Sequence, residues 1–341
     1  MTKIVTKVKD EEWDAFLRNY NTASLYHTHH WKHFLEKTFN YESNYIFAKD
    51  ECENIVGLLP LFYVKSKLTG NRLCSVPFSH TCGYVGSEYA KNLLIDEGVD
   101  LFSRLDSNYF EIRDLVNSSG FCHHILFSTH VLELSSNIDE TWLKLHKGTR
   151  RGVNKSKSMG VSVHSTKNIE DLKQFYELNC ITKKRIGVPC HPWKHFKNMF
   201  NLLNEHVSLY IAKYDDEIVA GGIFEYFGDS VTFAYGASNP CHLNKRPNNA
   251  LIWRCIEDAC VNGYKYFDFG RTSDENIGLM NFKRRWGGIE KQLYYSYYPC
   301  DTKPFATNRS NIMYKCGTKI VQKTPFPIYK KASDILFVHF G

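Results

Sequence analysis

A tandem repeat constrains this chain more than any other feature. Trp31-Lys32-His33-Phe34 recurs as Trp193-Lys194-His195-Phe196, an offset of 162 residues. Tyr45-Ile46-Phe47-Ala48-Lys49 recurs as Tyr210-Ile211-Ala212-Lys213, and Asn54-Ile55-Val56-Gly57 as Glu217-Ile218-Val219-Ala220-Gly221. Three matches in one order, at a nearly constant offset, point to a duplication, and the fold is then two similar units in series. The 341 residues suffice for two domains of ordinary size.

Both copies follow one grammar. Helical patterns over 11–18 and 31–38 precede a strand at 45–49, a polar turn at 51–54 and a strand at 55–63. In the second copy helices at 169–179 and 192–204 precede strands at 208–213, 218–227 and 230–237. Short polar turns between β-rich runs predict antiparallel hairpins. A helix over 248–262 follows, opened by Pro247 and closed by Gly263, and then an aromatic strand at 264–269. The expectation is an α/β (α+β) protein of two domains with mixed, largely antiparallel sheets: 1–138 and 139–299, with 300–341 available to complete the first.

The junction reads as one helix over 139–159, capped by Asn137 and Glu140 and stopped by Gly160. From Thr141 to Ile169 there are seven basic residues and no acidic one. Lys147, Arg151 and Lys155 are four apart and share one helical face, beside Arg150. That face is either an ordinary solvated surface or a contact for anions such as tRNA.

The net charge of +7 favours anionic partners in general, yet none of the usual nucleic-acid-binding motifs is present, and DNA is not an expected partner. Eleven cysteines without pairing pattern read as reduced thiols, which with the charged residues 1–14 points to the cytoplasm. The longest apolar run, 55–64, is too short to span a bilayer. His27, His29 and His30 lie close in sequence but lack an adjacent carboxylate or cysteine motif, and read as a surface cluster with no metal.

Several blocks resemble FemAB-like proteins of the GNAT (acyl-CoA N-acyltransferase) fold. They include Leu59-Pro60-Leu61, Ser75-Val76-Pro77-Phe78, Arg150-Arg151-Gly152-Val153-Asn154-Lys155 and the stretch from Thr182 to Pro189. The most specific run is Tyr235-Gly236-Ala237-Ser238, Arg246-Pro247-Asn248-Asn249, Leu251, Trp253, Phe267-Asp268-Phe269-Gly270-Arg271, Phe282-Lys283 and Trp286-Gly287. The resemblance covers about residues 25–298. It implies two tandem GNAT-like domains, no metal or redox cofactor, and transfer of an aminoacyl group from aminoacyl-tRNA to an amine on a small or lipid-linked acceptor, with peripheral membrane contact. The alternatives are a CoA-dependent N-acyltransferase, or a scaffold that binds an anionic ligand without turnover.

On that resemblance Lys283 is the leading catalytic candidate, able to clamp a phosphate or carboxylate or to stabilise an oxyanion. Asp268 follows, as a proton acceptor or as the partner of Arg271. Arg185, Tyr235, Ser238, Asn248, Asn249, Trp253, Arg271 and Phe282 are the expected substrate contacts. The turn that cradles CoA pyrophosphate in GNAT enzymes is Gly-rich, whereas 244–250 here has no glycine. Members specialised for peptidoglycan precursors carry a lysine shortly after the first domain's tryptophan, where this chain has Phe34.

Overall fold

The computed structural model describes residues 2–302 and 312–340. Part of the 300–341 segment expected to complete the first domain therefore lies outside the described residues. The chain forms two compact units, one from the described residues of 1–126, 293–311 and 338–341, the other from 127–292 and 312–337.

In the first unit the strands Lys3–Val5, Ile46–Lys49, Ile55–Leu59 and Val85–Gly86 form an antiparallel sheet in that order. Pro60 has no N–H and splits the run predicted over 55–63. Beyond it, Leu61–Val64 pairs with Glu42–Ser43 and Arg72–Ser75. The helix Glu88–Arg104 then leads to Tyr109–Ile112, which runs parallel to Arg72–Ser75. Leu59, Leu73, Leu94, Phe110 and Ile112 are fully buried between these layers, and so is Phe34. At the carboxyl end, Val338 O accepts from Tyr41 Oη at 2.6 Å and His339 O from Thr69 Oγ1 at 2.9 Å.

In the second unit Ser162–Thr166, Val207–Tyr214, Glu217–Phe227 and Ser230–Ser238 are antiparallel neighbours. The helix Pro247–Val261 carries the chain to Tyr266–Asp268, which lies parallel to the start of Ser230–Ser238. Residues 131–133 of the long strand Cys122–Glu133 flank it in antiparallel register. Because the second half of that strand finds its hydrogen bonds in Tyr266–Asp268, the units divide at 126/127, not at the expected 138/139. Residues 312–337 pack here too: Tyr329 Oη donates to Val188 O at 2.9 Å, and Ser333 Oγ accepts from Cys190 N at 3.3 Å.

The expected single helix over 139–159 is two helices, Ile138–Lys144 and Lys147–Ser158. His146 breaks it: its side chain caps the second helix by accepting from Gly148 N at 3.0 Å, and its own N–H goes to Arg285 O at 2.9 Å. Ile169–Ile186 runs past the expected end at 179 until Gly187 closes it in the left-handed conformation, φ 79°.

The duplication survives in hydrogen-bond detail. Ala48 faces Gly57 and Lys49 faces Ile55, so Val56 is bulged; Ala212 faces Ala220 and Lys213 faces Ile218, so Val219 is bulged. Gly57 is thus matched by Ala220, not Gly221. A further repeat emerges, Tyr109-Phe110-Glu111 against Tyr266-Phe267-Asp268, each set paired in parallel with the start of an earlier strand of its own unit, Arg72–Ser75 and Ser230–Ser238. No helix among the described residues is long and apolar enough to cross a membrane.

Candidate active site

Along Tyr266–Asp268 alternate side chains point to opposite faces. Phe267 and Phe269 are buried in the core with Trp286, and Asp268 lies on the other side, half-buried. Its Oδ1 accepts the Gly270 N–H at 2.7 Å and the hydroxyl of the buried Thr129. Thr129 Oγ1 is also 3.0 Å from Gly270 O. Gly270 has φ +69°, and a Cβ there would stand 3.2 Å from Phe233 O, so the turn needs glycine.

Lys283, on the helix Ile277–Arg284, donates from Nζ to the same Gly270 carbonyl at 2.6 Å. The residue is only 4% exposed. Burial pushes its pKa down to about 8, and the nearby Asp268 carboxylate opposes that shift. A lysine in this range carries a charge at neutral pH and loses it on modest alkalinisation. Thr129, Asp268, Gly270 and Lys283 therefore form one hydrogen-bonded cluster at a strand end.

His130 adjoins it and carried no signal in sequence. It is fully buried, neither ring nitrogen makes a hydrogen bond, and its Nε2 is 3.8 Å from a Glu290 oxygen. Burial lowers its pKa, with Glu290 opposing and Lys283 reinforcing. Thr129 and His130 escaped notice because their strand precedes Asp268 by well over a hundred residues and no local motif marks it.

Tyr235 and Ser238 lie within the strand Ser230–Ser238, one residue longer than the expected 230–237. Register shifts between the Phe224–Phe233 and Ile223–Tyr235 pairs, leaving Ala234 bulged. Tyr235 Oη is 3.0 Å from Nε2 of the buried His195, and burial lowers the His195 pKa to about 3. Ser238 Oγ accepts from Asn248 Nδ2 at 3.3 Å, and Ser238 N donates to Thr182 Oγ1 at 3.4 Å. The Phe233 carbonyl beside Gly270 links this second group to the first.

The other expected contacts are placed elsewhere. Trp253 is 8% exposed, meets Trp142 edge-on at 4.6 Å and belongs to the core. Asn249 sits where two helices cross: a Cβ on Gly152 would come within 2.8 Å of its Nδ2. Phe282 packs half-buried near Trp286, the Arg271 guanidinium lies over the Phe127 ring at 4.5 Å, and Arg185 is exposed. On Lys147–Ser158 one face buries Thr149, Gly152, Val153 and Ser156. Lys147, Arg151 and Lys155 are exposed, Arg150 is half-buried, and none of the four forms an ion pair among the described residues.

The start of Pro247–Val261 has little to offer a pyrophosphate. Pro247 has no N–H, and the Asn249 and Ala250 N–H groups already donate to Arg246 O at 2.9 and 3.4 Å. Only the Asn248 N–H remains in that first turn, where an anion cradle needs several.

Residues 144–284 match the acetyltransferase (GNAT) domain family. The chain is 20% identical to a lipid II:glycine glycyltransferase of Staphylococcus haemolyticus (strain JCSC1435), over 82% of this chain and 88% of that one. Among solved structures it resembles FemX, with a TM-score of 0.72 at 18% identity, over 86% of this chain and 96% of FemX. L-PGS from Bacillus licheniformis gives 0.56 at 13%, over 93% and 97% of the two chains. A tandem GNAT protein from the clavulanic acid biosynthesis pathway gives 0.55 at 9%, over 89% and 100%. These likenesses establish the fold as two tandem GNAT-like domains.

Proposed function

We propose that this chain, a FemAB-like acyltransferase of the GNAT fold, moves an aminoacyl group from aminoacyl-tRNA to an amine on a cell-envelope precursor, glycan or peptide. The observation that carries the choice of donor is the first turn of Pro247–Val261, which retains one free N–H where CoA pyrophosphate would need a cradle. The curated relative, a lipid II:glycine glycyltransferase, supports an aminoacyl donor and a lipid-linked acceptor. The reaction belongs in the cytoplasm, where charged tRNA is made.

In this reading a neutral acceptor amine attacks the aminoacyl ester carbon. The C–N bond forms, the ester C–O bond breaks, and the ribose oxygen leaves with the proton released by the amine. Protonated Lys283 stabilises the oxyanion of the tetrahedral intermediate. Asp268, fixed by Thr129 and the Gly270 N–H, keeps that ammonium charged and oriented. Tyr235, Ser238 and Asn248 line the acceptor side, joined by Arg185, and Arg271 and Phe282 flank the donor end. Lys147, Arg150, Arg151 and Lys155 meet the tRNA backbone, or anionic head groups where the acceptor is lipid-linked.

The test is transfer of label from a pool of radiolabelled aminoacyl-tRNAs into a cell extract, with Lys283→Ala in parallel. Product that forms with the parent and disappears with the variant supports the reading. If no charged tRNA donates, the proposal falls. A second reading, N-acylation from acyl-CoA, draws on the GNAT domain match over 144–284 and predicts labelled product from acyl-CoA instead.

A further inference from the structure

The helices Asp10–Leu17 and His29–Phe39 of the first unit bring together groups that lie apart in sequence. One nitrogen each from His29 and His30 and a carboxylate oxygen of Asp14 all lie within 4.8 Å of one another. His29 Nε2 is 3.3 Å from Asp14 Oδ2, about the ligand–ligand separation of a tetrahedral ion with bonds near 2.0–2.1 Å. The two rings are 3.9 Å apart between centroids. His27, the third member of the sequence cluster, is not part of this group. It is buried, its Nδ1 accepts from Ser24 N at 3.1 Å, and its Nε2 lies 3.2 Å from Gly83 O.

His29 carries the argument further. It is 8% exposed, its Nδ1 makes no hydrogen bond, and that atom lies 3.6 Å from Asp10 Oδ2. The ring is thus held between two carboxylates, Asp14 at one nitrogen and Asp10 at the other. With a cation at Nε2, that nitrogen and Asp14 become ligands, and the Nδ1 proton turns to Asp10, the carboxylate–histidine–metal arrangement of many metal sites.

We propose that Asp14, His29 and His30 bind a late first-row divalent ion, Zn(II) or its Co(II) and Ni(II) analogues, with Asp10 orienting His29. Two imidazoles and a carboxylate are the donors such ions select. Asp14 and His30 are partly exposed, so the ion has a way in and keeps positions for water. The bound ion ties the two helices together in the folded state alone, and raises its stability by mass action.

The experiment titrates the purified, metal-free full chain with CoCl2 and follows the visible d–d absorption, alongside thermal unfolding with and without ZnCl2. The expected result is one ion per chain and a zinc-dependent rise in Tm. Asp14→Asn and His30→Gln each weaken binding by about 100-fold and Asp10→Asn by about tenfold. His33→Gln, outside the ligand group, leaves it unchanged. Because Asp14 and His30 are partly exposed, the metal-free variants keep the parent Tm, which separates loss of the site from loss of the fold. A cobalt spectrum that survives the Asp14→Asn/His30→Gln double variant, or no stoichiometric binding at micromolar metal, overturns the proposal.

Discussion

The two units end equivalent strands in opposite ways. Tyr109-Phe110-Glu111 and Tyr266-Phe267-Asp268 occupy the same parallel register, and each places a carboxylate at the third position. In the first unit Glu111 and Arg113 are both buried and joined at 2.8 Å, and Arg113 also donates to Ser79 O at 2.7 Å. Burial alone would raise the Glu111 pKa, but the Arg113 guanidinium holds it low. In the second unit Gly270 stands at the arginine's position, the turn goes left-handed, and Arg271 moves off to Phe127. Asp268 takes its hydrogen bonds from a hydroxyl and a backbone N–H beside a lysine with a pKa near 8. A duplicated strand end is thus closed as a buried Glu–Arg ion pair in one copy and set beside Lys283 in the other, where we propose that it serves the transfer, and a glycine stands where the first copy has its arginine.

The largest expected effect breaks the first copy. Arg113→Met strands the buried Glu111 carboxylate and costs about 3–5 kcal/mol, while Glu111→Leu added to it restores most of the loss. Urea unfolding of both variants checks this, and equal destabilisation of the two would show that the pair is not the unit that matters. Lys283→Met tests the second copy: transfer falls by roughly 100- to 1000-fold. In the parent, a charged Lys283 makes the rate decline as pH rises through about 8, near the pKa that burial imposes. A rate that climbs through that range instead would make Lys283 a base.

Gly270→Ala forces a Cβ into the left-handed region and costs about 1–2 kcal/mol. If this variant keeps full stability but loses transfer, the turn serves the site and not the fold.

A gentler contrast comes from the repeated Trp-Lys-His-Phe. Trp31 is buried and His33 exposed, whereas Trp193 is half-exposed and His195 fully buried. The His195 pKa of about 3 lies below the ordinary 6.5, so between those values the unfolded chain takes up a proton that the folded one refuses. Stability therefore rises with pH from about 3 to 6.5, and is lost on acidification at about 1.4 kcal/mol per pH unit. His195→Phe flattens that slope in pH-dependent unfolding, with His33→Phe as the control.

Much of the candidate site was legible before the structure. Asp268, Gly270 and Lys283 stand in one dense block of motif, and strand alternation already set Asp268 apart from its aromatic neighbours. Thr129 and His130 were invisible because their strand is remote in sequence, and Trp253 read as a substrate contact only because nothing local reveals a Trp142 packed against it. The Glu111 repeat was missed because the copies are closer together there than the 162-residue offset of the other matches.

By itself the sequence determined the duplication, the order of helices and hairpins, and which face of each element is apolar. Those properties follow from periodicity, propensity and local capping, which act within a few residues. Tertiary structure decided which of two identical tetrapeptides buries its tryptophan and which its histidine. It also decided whether a strand-end carboxylate meets an arginine or a lysine, and that histidines and an aspartate from separate helices form a cluster. Burial and electrostatics depend on distances between segments far apart in the chain, which only the packed fold sets.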